Sequence, residues 1–488
     1  MTNPAPVQSR QQTTANPAST SFKRLLSLDV VRGITIAFMI MVNNNGGPGS
    51  WRFMNHADWN GLTPTDLVFP TFAFVIGVSI VFAFSARLER GASKGELARH
   101  TVQRALILIL FGIIVNSFPF FGLDRVPLAK VLYVLGVPAI CAAAMAVAAS
   151  FSMIATLAIG FVLLWFFGFP AVLVSLVACL SWKPADNHRL SASQLLPRFL
   201  LAFGFLSASL DYQVTHERIY GVLQRLAVCY LVAGLFYLYD QRAWTKWAAL
   251  ATALVGYWLL IRWVPIPGAG VPGHDVPFMD MTQNLTSWID RHVFPYHLYL
   301  YSPDHNVRDP EGLLSDLPAI GTTLMGVLAG IWLRTSRTVR AKSAGLALAS
   351  IVSLTVGYLW SLEFPLNKNM WTSSFVLVAG GCSLALLTVL YWAVEERNWR
   401  KGWTWPWLVF GSNAIAAYMF SELLPSALYL IRFSSGNRIV SLGEFIFVHV
   451  FAHIPDRGWA AFAWSVSFTA LCFIPVWILY RKKIFLKV

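Results

Sequence analysis

Charge is what this sequence has least of. Only 12% of its 488 residues are Asp, Glu, Lys or Arg, about half the ~25% usual in a soluble domain. So few charges exclude a soluble globular enzyme of this length. Acidic residues are scarcer than basic ones, 23 against 37, which leaves a net charge of +14. Cysteine is scarce as well. Cys141, Cys179, Cys229, Cys382 and Cys472 all lie in apolar runs, and none is paired at metal-ligand spacing. A disulfide framework and a zinc site are thereby excluded, and no metal is expected. There is no P-loop or GxGxxG nucleotide loop. The apolar/polar alternation of an outer-membrane barrel is missing too.

What is present is apolar length. The chain is 56% hydrophobic, with a mean hydropathy of +0.58. Many of its runs approach the ~20 residues that cross a bilayer as helix. In lipid the backbone must satisfy its own hydrogen bonds, so such runs imply helices. The expected fold class is an all-α polytopic membrane protein, a helical bundle of roughly 12–14 transmembrane helices. The first helix is expected over about Leu28 to Asn43, the second over Thr63 to Ser85 and the third over Ala105 to Phe118. Trp405 to Ile431 reads as one later span. The Gly168-Phe169-Pro170 break either divides two helices or kinks one. Pro265 to Pro310 reads as a long polar loop, of the kind that is often functional.

The basic residues fall in short segments between the runs. Arg87, Arg90, Lys94, Arg99 and Arg104 form one group, and Arg334, Arg337, Arg340 and Lys342 a second. Arg397, Arg400 and Lys401 form a third, and Arg481, Lys482 and Lys483 end the chain. This is the positive-inside pattern, which puts the groups on the cytoplasmic side and excludes nucleic acid as a partner. Residues 1–21, rich in Ser, Thr, Gln, Asn and Pro, read as a disordered cytoplasmic tail, and 22–488 as a single transmembrane domain. Parity then places both termini in the cytoplasm. The loop between the first two helices falls on the opposite face, periplasmic for a chain in a bacterial inner membrane.

That loop organises the rest. Asp29 and Arg32 sit near the start of the first run, and Asn43, Asn44 and Asn45 end it. His56, Asp58 and Asn60 fill the loop, and Asp66 lies just inside the second run. Ionisable groups at the entrances of lipid-facing helices are functional candidates.

Nine segments occur in one order along nearly the whole chain: RLLSLDVVRG, MVNNNGG, HADWNGLTPTDLVFP, GVLQRLAVCY, IDRHVFPYHLY, DPEGLL, PLNKNMWTSSFV, SNAIAAYM and YRKKIFLKV. With them the sequence resembles the transmembrane acyltransferase family of heparan-alpha-glucosaminide N-acetyltransferase. The resemblance implies a chain that moves an acetyl group from cytoplasmic acetyl-CoA to the amino group of a glucosamine-like sugar across the membrane. It makes His56 the catalytic histidine and matches Asn43 and Asp66 to two further site positions. A stretch near 121–206 has no counterpart in the lysosomal enzyme, a size that fits ~2–4 extra helices. The lumenal N-terminal region of that enzyme has no match either. The chain therefore reads as a bacterial relative whose acceptor is left open.

The chemistry gives those residues roles. Transfer to an amine needs a base active near neutral pH, which suits His56. An oxyanion donor is also needed, which suits the Asn43 amide. Asp66, ahead of Asp58, would hold the imidazole tautomer. One or two of Asn43, Asn44 and Asn45 also fit a helix C-cap before Gly46 and Gly47. Arg32 and Arg104 are candidate cations for the CoA nucleotide, with an Asp29 pair as the other reading of Arg32. Gln224 and Arg225 are candidates for the pantetheine arm or the acceptor, or else for interhelical hydrogen bonds. Asp58, Asn60, Asp309, Asn367 and Asn369 are candidate sugar ligands, because planar amides and carboxylates each make several hydrogen bonds. Glu311 and Lys368 read instead as loop and interface anchors. The expected partners are the bilayer, acetyl-CoA and an amino-sugar or glycan acceptor, with a homodimer left open. The competing reading is an amino-sugar transporter without acyl chemistry.

Overall fold

The computed structural model describes residues 25–118, 128–182, 192–214, 218–299 and 307–486, apart from 48, 296, 401 and 436–437. The tail expected to be disordered lies outside the described residues. Helices α1 (Leu26–Asn43) and α2 (Val68–Leu88) form the expected hairpin. Helix α3 (Lys94–Ser117) starts well before the expected Ala105. Ser93 caps it, its hydroxyl accepting the Glu96 N–H at 3.1 Å, so Lys94, Arg99 and Arg104 ride on a helix rather than a loop. Then come α4 (Leu128–Phe151), α5 (Met153–Phe167) and α6 (Phe169–Leu180). The last two are separate helices because Gly168 takes φ 74°, a left-handed value that glycine adopts without strain.

The chain continues through α7 (Ala192–Val214), α8 (Val222–Tyr239), α9 (Ala243–Trp263), the short α10 (Leu285–Val293), α11 (Asp316–Leu333), α12 (Val339–Trp360) and α13 (Ser373–Tyr391). The expected span at Trp405 to Ile431 is broken into α14 (Trp405–Ser412) and α15 (Ala414–Leu430), bent by 74°. Asn413 sits at the break, where its side chain works as a tertiary anchor. Its amide donates to the Ile484 carbonyl at 3.1 Å and its oxygen accepts the Leu486 N–H at 2.9 Å. A hairpin of β1 (Arg432–Ser435) and β2 (Arg438–Ser441), pairing Arg432 with Ser441, leads through α16 (Leu442–Ile446) to α17 (Arg457–Arg481).

This is a multi-pass helical membrane protein. Among the described residues nine helices are long and apolar enough to cross a bilayer, and the bent α14–α15 pair adds a tenth. Helices α5 and α6 and the apolar part of α7, Gln194–Leu210, are shorter, and α9, with its Lys246 and Arg262, is not among the nine, so fewer spans pass than the 12–14 expected.

Helices α1, α2, α11 and α13 build the main core, with Val30, Ile36, Phe74, Val78 and Phe375 sealed inside. Helices α2 and α11 meet backbone to backbone. A Cβ on Gly77 would lie 2.0 Å from the Thr323 carbonyl oxygen, and one on Gly326 would lie 1.9 Å from that of Phe74. Lipid gives helices no hydrophobic reason to associate, so close contact at small residues supplies the attraction. Helices α4 to α7 instead surround a separate core of Val134, Met145, Leu163, Phe167 and Leu206, and reach the rest through α3.

Ion pairs fix which loops share an end. Arg334 bonds Glu89 at 2.5 Å, Arg340 lies 3.5 Å from Glu396, and Glu395 takes both Arg400 and the Ser27 N–H. These tie the start of α1 and the ends of α2, α11 and α13 into one basic end. The loops 44–66, 218–221, 307–315 and 363–372 meet at the other end.

Candidate active site

The loop between α1 and α2 is built by its own amides. Asn44 donates to the Ile40 carbonyl at 3.0 Å, closing α1. Asn45 donates to Asn55 Oδ1 at 2.8 Å, and Asn55 in turn donates to the Trp51 carbonyl at 3.0 Å. Asn43 points elsewhere. Its amide donates to Glu422 Oε1 on α15 at 3.1 Å.

Thr63, Pro64 and Asp66 start the second helix with a short 3-10 turn. Asp66 Oδ2 accepts the N–H groups of Thr63 at 3.0 Å and Ala57 at 3.1 Å, and the Thr63 hydroxyl lies 3.0 Å away. The side chain is 1% exposed. Surrounded by donors at a helix N-terminus, it is held as a carboxylate. Its other oxygen, Oδ1, lies 2.7 Å from His56 Nδ1. A carboxylate accepts only, so Nδ1 carries the proton and Nε2 presents its lone pair. The His56 side chain is 49% exposed at this end of the bundle.

A second loop closes on the first. Gly61 N–H donates to the Leu366 carbonyl at 2.8 Å, and Asn367 donates to Asn60 Oδ1 at 3.1 Å. Asn367 also accepts the Met370 N–H at 2.8 Å, so this fully buried amide shapes the loop that presents Lys368. Lys368 Nζ stands 3.2 Å from both ring nitrogens of His56. Burial pulls its pKa below the usual lysine range, while Glu311 and Asp66 oppose that shift.

Behind Lys368 lies a buried network of charge. Arg218 grips Asp309 through Nε at 2.8 Å and Nη2 at 2.5 Å and also bonds Glu311, with the Tyr299 ring 4.8 Å from its guanidinium. Burial works against the Glu311 carboxylate, yet Arg218, Arg225 and Lys368 together hold its pKa below the usual range. Arg225 bonds Asp316 at 3.1 Å, the Gly312 carbonyl at 2.9 Å and Ser315, and lies over the Trp371 ring at 5.0 Å. Tyr220 also bonds Asp316. Asp290 faces the same turn through the Leu313 N–H at 2.9 Å, and burial pushes its pKa up to about 7.

The candidates from the sequence thus fall in four places. His56, Asp66, Asn60 and Asn367 come together at the mouth of the site, with Asp58 exposed on the same loop and Asn369 half-buried beside Lys368. Asp309 and Arg225 are engaged in the network behind it. Gln224 is wedged against Gly112 between α3 and α8, donating to the Ile219 carbonyl at 2.7 Å. Arg32 and Arg104 lie toward the basic end. Arg32 bonds Asp29 at 3.0 Å and Ser79 at 2.8 Å, and Arg104 lies over the Tyr230 ring at 5.3 Å.

Sequence reasoning passed over Lys368 and Glu311 as anchors and did not single out Arg218, Tyr220, Asp316 or Glu422. The available signal was an arginine at a helix entrance alongside an acidic DPEG turn in a chain so poor in charge.

Compared with known proteins, the chain is similar to heparan-alpha-glucosaminide N-acetyltransferase of Mus musculus, 26% identical over 497 residues that take in 96% of this chain. It is similar to the Homo sapiens protein of that name too, 27% identical over 493 residues and 95% of the chain. The chain spans 61% and 60% of those relatives' lengths. No protein-family model matches it. The likeness read from the motifs therefore runs along nearly the whole chain.

Proposed function

We propose that this protein is a membrane acetyltransferase that moves an acetyl group from acetyl-CoA to the amino group of an amino sugar. The donor enters from the basic end, which is cytoplasmic, and the acceptor binds at the opposite, periplasmic face of an inner membrane. The observation that carries this reading is the His56–Asp66 pair at 2.7 Å, with a saturated carboxylate behind the ring and an open Nε2 in front. The similarity to two N-acetyltransferases supports the reaction class.

The acceptor nitrogen attacks the thioester carbonyl carbon and forms the new C–N bond while His56 Nε2 takes a proton from the amine. Asp66 holds the tautomer and stabilises the resulting imidazolium. The intermediate then breaks its C–S bond, and the departing sulfur takes the proton back from Nε2. The products are the CoA thiol and the N-acetyl sugar.

Asp58, Asn60 and Asn369 are the proposed acceptor ligands at the mouth, with Asn367 and Asp309 shaping the loops that carry them. Arg32 and Arg104 are the proposed cations toward the donor's nucleotide end. Gln224 and Arg225 are assigned to the walls of the passage. An oxyanion role for Asn43 would use the second N–H of its amide, the first being bonded to Glu422. Helices within about 121–206 are read as an accessory set outside the catalytic bundle, in keeping with their separate core.

Sealed inside-out vesicles test this reading. Labelled acetyl-CoA added outside should acetylate an amino sugar trapped inside. Transfer only when donor and acceptor share a compartment overturns the sidedness. Absence of transfer in both arrangements overturns the activity, and accumulation of unmodified sugar without acetyl-CoA would mark a transporter.

A further inference from the structure

Within the active site read above, one group close to the reacting atoms has no assigned part. We propose that Lys368 is a catalytic residue, an ammonium that donates a hydrogen bond to the oxyanion formed on the acetyl carbonyl. Its Nζ lies 3.2 Å from each ring nitrogen of His56. Equal distances to the two nitrogens of one ring put Nζ against the ring face, clear of the Nε2 lone pair. Nε2 is the atom that receives the amine proton. The reacting carbonyl must therefore form within reach of the ammonium, which carries three N–H donors.

An acceptor amine can approach Nε2 along its lone pair while a Lys368 N–H turns to the carbonyl oxygen. The negative charge of the tetrahedral intermediate then grows beside a fixed cation, the arrangement that lowers an acyl-transfer barrier most. Asn43, the amide expected to fill this part, has one of its two N–H donors on Glu422.

Two carboxylates offset part of what burial takes from the ammonium. Glu311 and Asp66 face it as carboxylates, Arg225 opposes them, and Arg218 is neutralised by Asp309 and Glu311. Asp58, on the same loop, is the other charge near the ring in sequence.

Lys368→Met and Lys368→Arg test the assignment by acetyl transfer in membranes, with the wild-type chain measured first. Lys368→Met should lower kcat ~10²–10³-fold, the cost of losing one oxyanion donor, with KM for acetyl-CoA little changed. Lys368→Arg, which keeps the charge and the donors, should recover part of the rate. A residue that only supported the loop would show no difference between the Met and Arg variants. No transfer by the wild-type chain would overturn the proposed function. Normal wild-type transfer with Lys368→Met within about twofold of it in kcat, or with Lys368→Arg no better than Lys368→Met, overturns the role of Lys368 alone. Intact-mass analysis after incubation with acetyl-CoA adds a separate reading. An acetyl group found on Lys368 would mark a neutral, attacking amine and overturn the ammonium role.

Discussion

The two ends of the bundle use the same residue types to opposite effect. At the basic end Arg340 is 87% exposed in its pair with Glu396, and Arg400 is 48% exposed in its pair with Glu395. Pairs of this kind contribute ~0–1 kcal/mol each, because water and salt screen them. At the outer end Arg225 is 1% exposed, and Arg218 binds two carboxylates that are almost fully buried. There the charges have left water and depend on one another. Apolar groups of the same volume would stabilise such a place equally well. The network is better understood as a scaffold that fixes the DPEG turn and the NKN loop, and with them Lys368, around His56. Burial, rather than the presence of charge, is what separates a site from a solvated rim.

The comparison can be broken or sharpened by substitution. The largest effect is expected at His56. His56→Ala should lower acetyl transfer ~10²–10⁴-fold, the usual cost of losing a general base, while the unfolding temperature hardly changes, because the ring is half exposed. Wild-type turnover in that variant would remove the site from the outer end altogether.

Arg225→Ala should cost ~3–5 kcal/mol by stranding Asp316 in the interior, whereas Arg340→Ala at the basic end should cost at most ~1 kcal/mol. Denaturant titration in detergent measures both, and equal losses would erase the distinction between the ends. Between these lies the α2–α11 crossing. Gly77→Ala forces a methyl against the Thr323 carbonyl and should cost ~1–3 kcal/mol as overpacking.

The smallest effect is a slope with pH. Burial raises the Asp290 carboxyl to about 7 from an ordinary 3.8. The fold thus favours its protonated form. That contribution is complete below the ordinary value and is lost as pH rises through about 7. Stability should therefore decline across this window. Asp290→Asn, which keeps an acceptor for the Leu313 N–H, should flatten the decline. An unchanged slope in thermal unfolding between about pH 5 and pH 8 would clear Asp290 of the effect.

Much of this was legible in the chain itself, for local reasons. Apolar runs of bilayer length became helices because lipid offers the backbone no other partner. Gly168 followed by Phe169-Pro170 gave a real break, since a left-handed glycine ahead of a proline ends one helix and begins the next. Thr63 and Asp66 share the i,i+3 spacing of a helix start, and His56 precedes them on the same short loop, so their meeting needed little more than a turn.

The tertiary structure decided everything that depends on distant segments. Lys368 reaches His56 across 312 residues of sequence, Arg218 reaches Asp309 across 91, and Asn43 reaches Glu422 across 379. No local geometry relates those positions. Lys368 looked like an anchor and Asn43 like a free amide because a side chain's partners are set by which helix ends pack together. That packing follows from close contacts such as Gly77 on Thr323, in which each half is unremarkable until the other is in place. The bend at Asn413 has the same origin. Its run is mostly apolar, and the partners that take both ends of its amide, Ile484 and Leu486, lie in the returning C-terminal segment.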